Sequence, residues 1–216
     1  MLALYGHPFS SYTWKALIAL YANDTPFEFR MTDPDHPENA AFVAMASPLG
    51  KFPVLVDGNR TVFETTSIIE YLALYHPGPA PLLPVEPDAA LAVRTLDRVF
   101  DNYVMGPMQD IVAAHIRSPD KPDPATVSRA RDTLEKTYRW LDGWLERRSC
   151  DGSVSLIECA AAPSLFYADW VCPIPMELDR LRQWRVYLLA LPPVALCVDE
   201  ARPYRHFFPP GAPDRD

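Results

Sequence analysis

Long hydrophobic runs, cysteine pairs and excess positive charge are all missing from this chain of 216 residues. No apolar run approaches the roughly 20 residues that a membrane-spanning helix needs, so we predict no membrane partner. The formal net charge is −8, which argues against nucleic acid as a main partner because phosphate backbones attract basic surfaces. The first residues show neither a basic segment nor a long apolar stretch typical of secretion signals. We therefore expect a cytoplasmic protein.

Cysteine is also scarce. All cysteines lie in the C-terminal part and none belongs to a C-x-x-C pair: Cys150, Cys159, Cys172 and Cys197. This is neither a disulfide framework nor a zinc-ligand pattern, so we predict no metal site. We expect most of the four to be small apolar fillers in helices.

Proline, by contrast, is abundant, with 24 residues, and its positions divide the chain. Five prolines fall between Pro77 and Pro87. Because proline fits poorly inside a helix or at the centre of a sheet, this segment predicts a linker. The predicted organisation is a first domain at 1–77, a linker at 78–87 and a second domain at 88–216.

The first of these domains alternates between strand and helix patterns. Apolar residues recur at helical spacing after Ser11 and again after Thr65, whereas shorter alternating runs indicate strands. The turn Asp57-Gly58 predicts a hairpin. The predicted strands are 2–5, 27–31, 53–56 and 61–63, and the predicted helices are 11–21, 39–46 and 65–75. This βαβαββα order predicts an α/β domain.

After the linker, strand patterns largely stop and long amphipathic patterns predict an all-α domain. The predicted helices are 88–116, 125–148, one that begins at Ser155, 178–190 and 194–201. Glu158 follows Ser155 at the spacing of a capping box, which satisfies two free backbone donors. We expect Pro163 to kink this helix rather than end it, and the tail from Pro203 to be extended.

Ser10 and Ser11 lie where the first strand turns into the first helix. A helix N-terminus offers unpaired N–H groups and about half a positive charge. A hydroxyl at that position can donate to a thiolate and help to bring a thiol pKa toward neutrality. The alternative is that either serine simply caps the helix.

Two further local features suggest a peptide ligand. Pro53 opens a strand after a turn, which fits a cis peptide bond, and Phe52 would then offer its N–H and C=O outward. Glu64 could pair with an ammonium group while Thr65 at the helix start suits a carboxylate. The alternatives are an ordinary proline between loop and strand, and an ordinary helix cap.

Three segments together resemble the cytosolic glutathione transferase superfamily, in order and at its spacing: L-Y-G-H-P-F-S-S-Y-T-W-K, S-P-L-G-K-F-P-V-L-V-D-G and F-E-T-T-S-I-I-E-Y-L. The likeness covers essentially the whole chain. It implies a thioredoxin-like N-terminal domain that holds glutathione, an all-α C-terminal domain and a homodimer.

The resemblance also implies roles for residues of the first domain. Ser10 matches the serine that hydrogen-bonds the glutathione sulfur in serine-type classes, although Ser11 stays open for that role. Phe52-Pro53 matches the cis-proline whose preceding backbone pairs with the cysteinyl part of glutathione. Glu64 and Thr65 match the pair that binds the γ-glutamyl head. Lys51 is expected near the glycine carboxylate, and Tyr5 is interpreted as a packing residue.

The pocket for a second, hydrophobic substrate is expected between the domains. Tyr103, Met105 and Met108 are the candidates for its wall, although Met and aromatic residues at helical spacing also suit a core. No cysteine lies near Ser10, which disfavours thiol-disulfide exchange.

The predicted function is transfer of the glutathione thiolate to a small hydrophobic electrophile, with glutathione as co-substrate. Glutathione-dependent isomerisation or peroxide reduction is an alternative within the enzyme class. From another class, the alternative is a non-catalytic binding or regulatory protein with the same fold.

Overall fold

A four-stranded sheet forms the first part of the molecule in a computed structural model that describes residues 1–148 and 150–216. The strand order is β2-β1-β3-β4, with β1 parallel to β2 and antiparallel to β3, and β3 antiparallel to β4. The strands are β1 (Leu2–Gly6), β2 (Glu28–Met31), β3 (Val54–Asp57) and β4 (Arg60–Phe63). This is a thioredoxin-like sheet, and the predicted α/β fold class is confirmed.

The helices of this part are α1 (Ser11–Ala22), α2 (Pro37–Ala46) and α3 (Thr65–Tyr75). Helix α1 connects the parallel strands β1 and β2, as a crossover connection must. Residues from Thr13 to Leu20 are all buried, because α1 packs on α3 and also on two helices of the second part. Helix α1 is therefore the element that the two parts share.

The rest of the described chain is helical, as predicted. Its elements are α4 (Pro87–Val99), a π-helical segment (Phe100–Met105), α5 (Gly106–Arg117), α6 (Pro124–Trp144), a 3-10 turn (Leu145–Arg147), α7 (Leu156–Val171), α8 (Asp179–Ala190), α9 (Pro192–Ala201) and a second 3-10 turn (Arg202–Phe207). Helix α7 is buried along its whole length and packs against α1, α4 and α8.

Several predicted bounds need correction. The single helix predicted at 88–116 contains the π-helical segment, which separates α4 from α5. The helix predicted at 125–148 ends as an α-helix at Trp144. The prediction of an extended tail is wrong for Arg202–Phe207, which coils into a 3-10 turn and brings the Tyr204 ring against His7.

The capping box at the start of α7 is confirmed. Ser155 accepts a hydrogen bond from the N–H of Ile157, and Glu158 accepts one from the N–H of Ser155. The helix runs through Pro163 instead of ending there.

Three of the cysteines are buried in helical surroundings as predicted, and Cys150 is exposed. Among the helices at residues 1–148 and 150–216, none combines the length and the apolar character that crossing a bilayer requires.

Candidate functional site

The strand register brings three segments to one edge of the sheet. Tyr5 pairs with Val54, and Val54 pairs with Phe63. Because these pairings are antiparallel, the end of β1, the start of β3 and the end of β4 share an edge. The turn before α1 comes directly after β1, the loop before β3 leads directly into β3, and α3 starts directly after β4. The three segments that the sequence singled out therefore lie side by side.

Ser10 caps α1. Its Oγ accepts a hydrogen bond from the N–H of Thr13 at 3.3 Å, which leaves the hydroxyl proton free to donate elsewhere. The first turn of α1 contains no acidic residue, so its positive dipole end is not neutralised locally. Ser11 is only 3% exposed, and its Oγ accepts from Gln109 Nε2 on α5 at 3.4 Å. Of the two serines, Ser10 is therefore the more accessible.

The turn between β1 and α1 is tied to α1 by hydrogen bonds. The N–H of Ser10 donates to the carbonyl of His7 at 2.9 Å, and Trp14 Nε1 donates to the carbonyl of Pro8 at 2.5 Å. A Cβ on Gly6 would lie 2.7 Å from the Thr13 side chain, so β1 and α1 approach too closely there for any other residue. The turn that carries Ser10 is thus held in one conformation.

Phe52-Pro53 is a cis peptide bond, as the sequence predicted. Ser47 closes the preceding loop, because its Oγ accepts from the Lys51 N–H at 2.8 Å and donates to the Lys51 carbonyl at 3.1 Å. Among the described residues, neither the N–H nor the C=O of Phe52 has a hydrogen-bond partner. Both are available to an extended peptide. The Lys51 side chain is exposed beside them.

Glu64 precedes α3 with φ at +65°, a region that non-glycine residues seldom occupy. Such strain persists where the surrounding structure imposes it, often at ligand sites. Its side chain is exposed and caps no backbone N–H of α3. The first N–H groups of α3, beginning at the buried Thr65, are therefore available to an anion.

A buried ion cluster behind this site was missed by the sequence analysis. Lys15 on α1 is fully buried, and its Nζ lies 2.5 Å from Asp97 and 2.8 Å from Asp101. Thr66 accepts from Lys15 at 3.1 Å and donates to Asp97 at 2.9 Å. The cluster joins α1, α3, α4 and the π-helical segment, since Asp97 lies on α4 and Asp101 on that segment. A single lysine in an apolar helix carries no local signal of partners more than 80 residues away.

The carboxylates of Glu64 and Asp101 both lie close enough to Tyr12 to act on its hydroxyl, and Lys15 and Arg98, at 2.8 Å and 3.8 Å from Asp101, partly offset the charge of Asp101. The Asp101 side chain is 16% exposed, and burial raises its pKa while Lys15 opposes the rise. Burial raises the pKa of Tyr12 to about 12, and the carboxylates of Asp101, Glu64 and Asp97 add to the shift. A cation, such as an ammonium group, would be stabilised there.

The predicted electrophile residues are divided between core and surface. Met105 is fully buried and Met108 is 2% exposed, which is the core role that the sequence also allowed. The Tyr103 side chain is exposed. The Tyr5 ring packs on Phe42 with centroids 4.4 Å apart, in agreement with its interpretation as a packing residue.

A wide groove of about 1160 Å³ lies elsewhere, between the first half of α4 and the end of α6, and no predicted site residue lines it. No cluster of three or more potential metal ligands occurs in residues 1–148 and 150–216.

The chemistry that the sheet edge can support is that of a peptide-like ligand with a carboxylate, an ammonium group and a thiol.

Comparison with known proteins agrees with this geometry. Residues 4–80 match the family model of the glutathione S-transferase N-terminal domain. The GST-like protein YibF of Escherichia coli is 30% identical over 145 residues, which cover 67% of this chain and 70% of that protein. A glutathione S-transferase of Methylobacterium radiotolerans, solved in complex with glutathione sulfonate, is 27% identical with a TM-score of 0.76 over 91% of this chain and 94% of that one.

Other relatives match over a shorter stretch of the chain. Glutathione S-transferase F6 of Arabidopsis thaliana is 35% identical over 75 residues, which cover 33% of this chain and 35% of that protein. The chain therefore spans about a third of the length of the plant transferases that it matches first.

Proposed function

Because the chain belongs to the cytosolic glutathione transferase superfamily, we propose that it conjugates glutathione, through its thiolate sulfur, to a small hydrophobic electrophile, with Ser10 stabilising the thiolate. The observation that carries the proposal is the common sheet edge at which Ser10, Phe52 and Glu64 meet with polar groups free. Each of these groups suits a different part of the tripeptide.

The γ-glutamyl head binds at the start of α3. Its α-carboxylate accepts from the Thr65 hydroxyl and from the free N–H groups of the first turn, where the helix dipole favours an anion. Its ammonium group pairs with the exposed carboxylate of Glu64. The strained backbone of Glu64 supports this role, since strain of this kind is retained where it serves a ligand.

The cysteinyl residue pairs with the free N–H and C=O of Phe52, beside Pro53, and Lys51 neutralises the glycine carboxylate. The sulfur then lies at the start of α1. Ser10 donates its hydroxyl proton to the sulfur while its oxygen keeps the hydrogen bond from Thr13. The dipole of α1 adds to the stabilisation and lowers the pKa of the thiol. Ser11, directly behind Ser10, shapes this helix start.

The reaction needs no covalent enzyme intermediate. The thiol proton leaves to solvent, the thiolate sulfur forms a bond to the electrophilic carbon, and the leaving group departs with the electron pair of the broken bond. Holding both reactants in contact supplies the main rate advantage. Of the predicted wall residues, Met105 and Met108 are buried in the core, so we propose that the exposed ring of Tyr103 contacts the electrophile.

The test is the substitution Ser10→Ala, assayed by conjugation of glutathione to chlorodinitrobenzene. We expect kcat to fall by about 10²-fold, the order of loss for a single stabilising donor, while KM for glutathione changes by no more than about threefold because the other contacts remain. Asp123→Ala is the matched control. It removes the cap of α6 at a comparable cost in stability, about 1 kcal/mol, away from the site.

Equal kcat in wild type and Ser10→Ala would reject Ser10 as the thiolate partner. Binding of glutathione without turnover on a broad panel of electrophiles would instead favour the non-catalytic binding protein. Calorimetric titration with glutathione, run beside the assay, separates these outcomes.

The proposal includes the assembly and location that the family resemblance implies, a homodimer in the cytoplasm. Light scattering should give a mass twice that of the chain.

A further inference from the structure

The peptide unit between Phe9 and Ser10 is held from both sides. The Ser10 N–H donates to the His7 carbonyl at 2.9 Å, and the Phe9 carbonyl accepts from the hydroxyl of Tyr167 at 2.9 Å. The C=O of Phe9 and the N–H of Ser10 belong to one rigid plane. The two hydrogen bonds therefore fix the orientation of that plane, from which the Ser10 side chain projects.

The Tyr167 bond comes from the other part of the molecule. Tyr167 lies on α7, 158 residues from Phe9 in sequence. Its side chain is 2% exposed, and burial holds its pKa well above the usual range, so the hydroxyl stays protonated and donates. A donor in this environment has no water to replace it, which makes the bond specific to the folded arrangement of α1 and α7.

Packing holds the Tyr167 ring independently of the hydroxyl. The ring meets Phe9 edge-on at 5.5 Å, Trp14 at 5.4 Å and Phe208 in a stacked arrangement at 6.0 Å. Replacing tyrosine by phenylalanine would therefore remove the hydrogen bond and leave the ring in place. The aromatic contacts hold the ring, and the hydroxyl alone makes the hydrogen bond to the Phe9 carbonyl.

We propose that Tyr167 is a positioning residue for Ser10: its hydroxyl, through the Phe9 carbonyl, fixes the peptide plane that aims the Ser10 hydroxyl at the glutathione sulfur. This proposal rests on the proposed function for its catalytic consequence. Without the hydroxyl the plane loses one of its two hydrogen bonds, although Ser10 Oγ still accepts from the Thr13 N–H. The plane then fluctuates more, and the Ser10 hydroxyl points at the sulfur for a smaller fraction of the time. The thiolate is then less stabilised, whereas the binding contacts at Phe52 and Glu64 are unchanged.

The primary test is Tyr167→Phe with Tyr138→Phe as the matched control. Tyr138 is also a buried tyrosine whose hydroxyl donates to a backbone carbonyl, that of Cys172 at 3.2 Å, which lies outside the turn that carries Ser10. Both variants lose one hydrogen bond of similar kind. In Tyr167→Phe we expect the pKa of enzyme-bound glutathione, followed by thiolate ultraviolet absorbance, to rise by about 0.7. At pH below that pKa, kcat should fall about five-fold with KM for glutathione nearly constant, the size expected for loss of one hydrogen bond of about 1 kcal/mol.

A double-mutant comparison identifies the route of the effect. In the Ser10→Ala background, Tyr167→Phe should leave the thiol pKa where Ser10→Ala alone puts it, because the residue acts only through Ser10. The same shift in both backgrounds, or an equal shift in Tyr138→Phe, would overturn the proposal.

A readout without glutathione separates this proposal from the proposed function. Amide hydrogen exchange at Ser10 should be about five-fold faster in Tyr167→Phe than in wild type or Tyr138→Phe. Unchanged exchange at Ser10 overturns the positioning role whatever the activity of the wild type. A different outcome is faster exchange at Ser10 in Tyr167→Phe together with a wild-type protein that neither lowers the thiol pKa of glutathione nor turns over. That outcome supports the positioning role and rejects the proposed function.

Discussion

His7 links the conformation of the site turn to pH. Its Nδ1 accepts a hydrogen bond from the N–H of Phe9 at 3.1 Å, which requires the unprotonated ring nitrogen. Burial lowers the pKa of His7 from its usual 6.5, and the opposing charge of Asp33 only reduces that shift. The folded protein therefore binds this proton less readily than the unfolded chain, and the stability that is present above pH 6.5 is lost as pH falls through the lowered pKa.

The substitution His7→Asn tests this coupling. The Asn Oδ1 can accept the Phe9 N–H in place of Nδ1 but does not titrate. We expect the free energy of unfolding to fall less steeply below pH 6.5 in His7→Asn than in wild type, as measured by urea denaturation across a pH series. Identical pH slopes would contradict the prediction. The other histidines are common to both proteins and cancel in the comparison.

At the scale of elements, the sequence predicted what is set by local chemistry. The bounds of α3 match because Glu64-Thr65 begins an apolar helical pattern that ends at Tyr75. The capping box of α7 was found from the spacing of Ser155 and Glu158 alone. The π-helical segment was missed, because one extra residue in a helical turn leaves the apolar pattern on either side intact.

The capping box at the start of α7 can be tested by its contribution to stability. Ser155→Ala removes the acceptor for the Ile157 N–H at 3.2 Å and the Ser155 Oγ contact to Glu158 at 2.6 Å. We expect a loss of about 1 kcal/mol in the free energy of unfolding, the usual cost of a lost cap, measured by urea denaturation. Ser128→Ala, at an exposed position inside α6, is the control and should change stability by less than about 0.5 kcal/mol. Equal effects of the two substitutions would contradict a capping role.

At the scale of the whole molecule, the sequence located the sheet edge but not what holds the two parts together. Ser10 and Glu64 each precede a helix start and Phe52 follows a turn, all of which can be read locally, and one register places them side by side. The contacts of Lys15 with Asp97 and Asp101 depend on how α1 packs against the end of α4 and the π-helical segment. No pattern within either segment encodes such a contact, so it emerges only from the folded chain.

Two ion pairs join α4 to the first part of the molecule, and we expect them to contribute differently to the free energy of unfolding. Lys15 and Asp97 are fully buried, whereas Arg94 on α4 and Glu70 on α3 pair at 2.7 Å with side chains 45% and 33% exposed. Removing one partner of a buried pair leaves charge without compensation, whereas a surface pair is screened by water. We expect Lys15→Met to lower the free energy of unfolding by about 3–5 kcal/mol, and Arg94→Met to lower it by less than about 1 kcal/mol. Urea denaturation followed by tryptophan fluorescence measures both.

Lys15→Met removes both the positive charge that compensates the nearby carboxylates and the packing of the lysine methylenes. Replacing the carboxylates as well distinguishes these two effects on stability. Both carboxylates also lie near Arg98, whose Nη1 is 3.5 Å from Asp97 and 3.8 Å from Asp101 and whose side chain is 58% exposed. In Lys15→Met with Asp97→Asn and Asp101→Asn, the carboxylate charges that Lys15 compensated are absent and Arg98 is solvated, so a large part of the stability should return. A triple variant no more stable than Lys15→Met would show that the methylene packing of Lys15, rather than its charge, holds α1 against the end of α4 and the π-helical segment. A Lys15→Met loss as small as that of Arg94→Met would remove the cluster as a determinant of how the two parts associate.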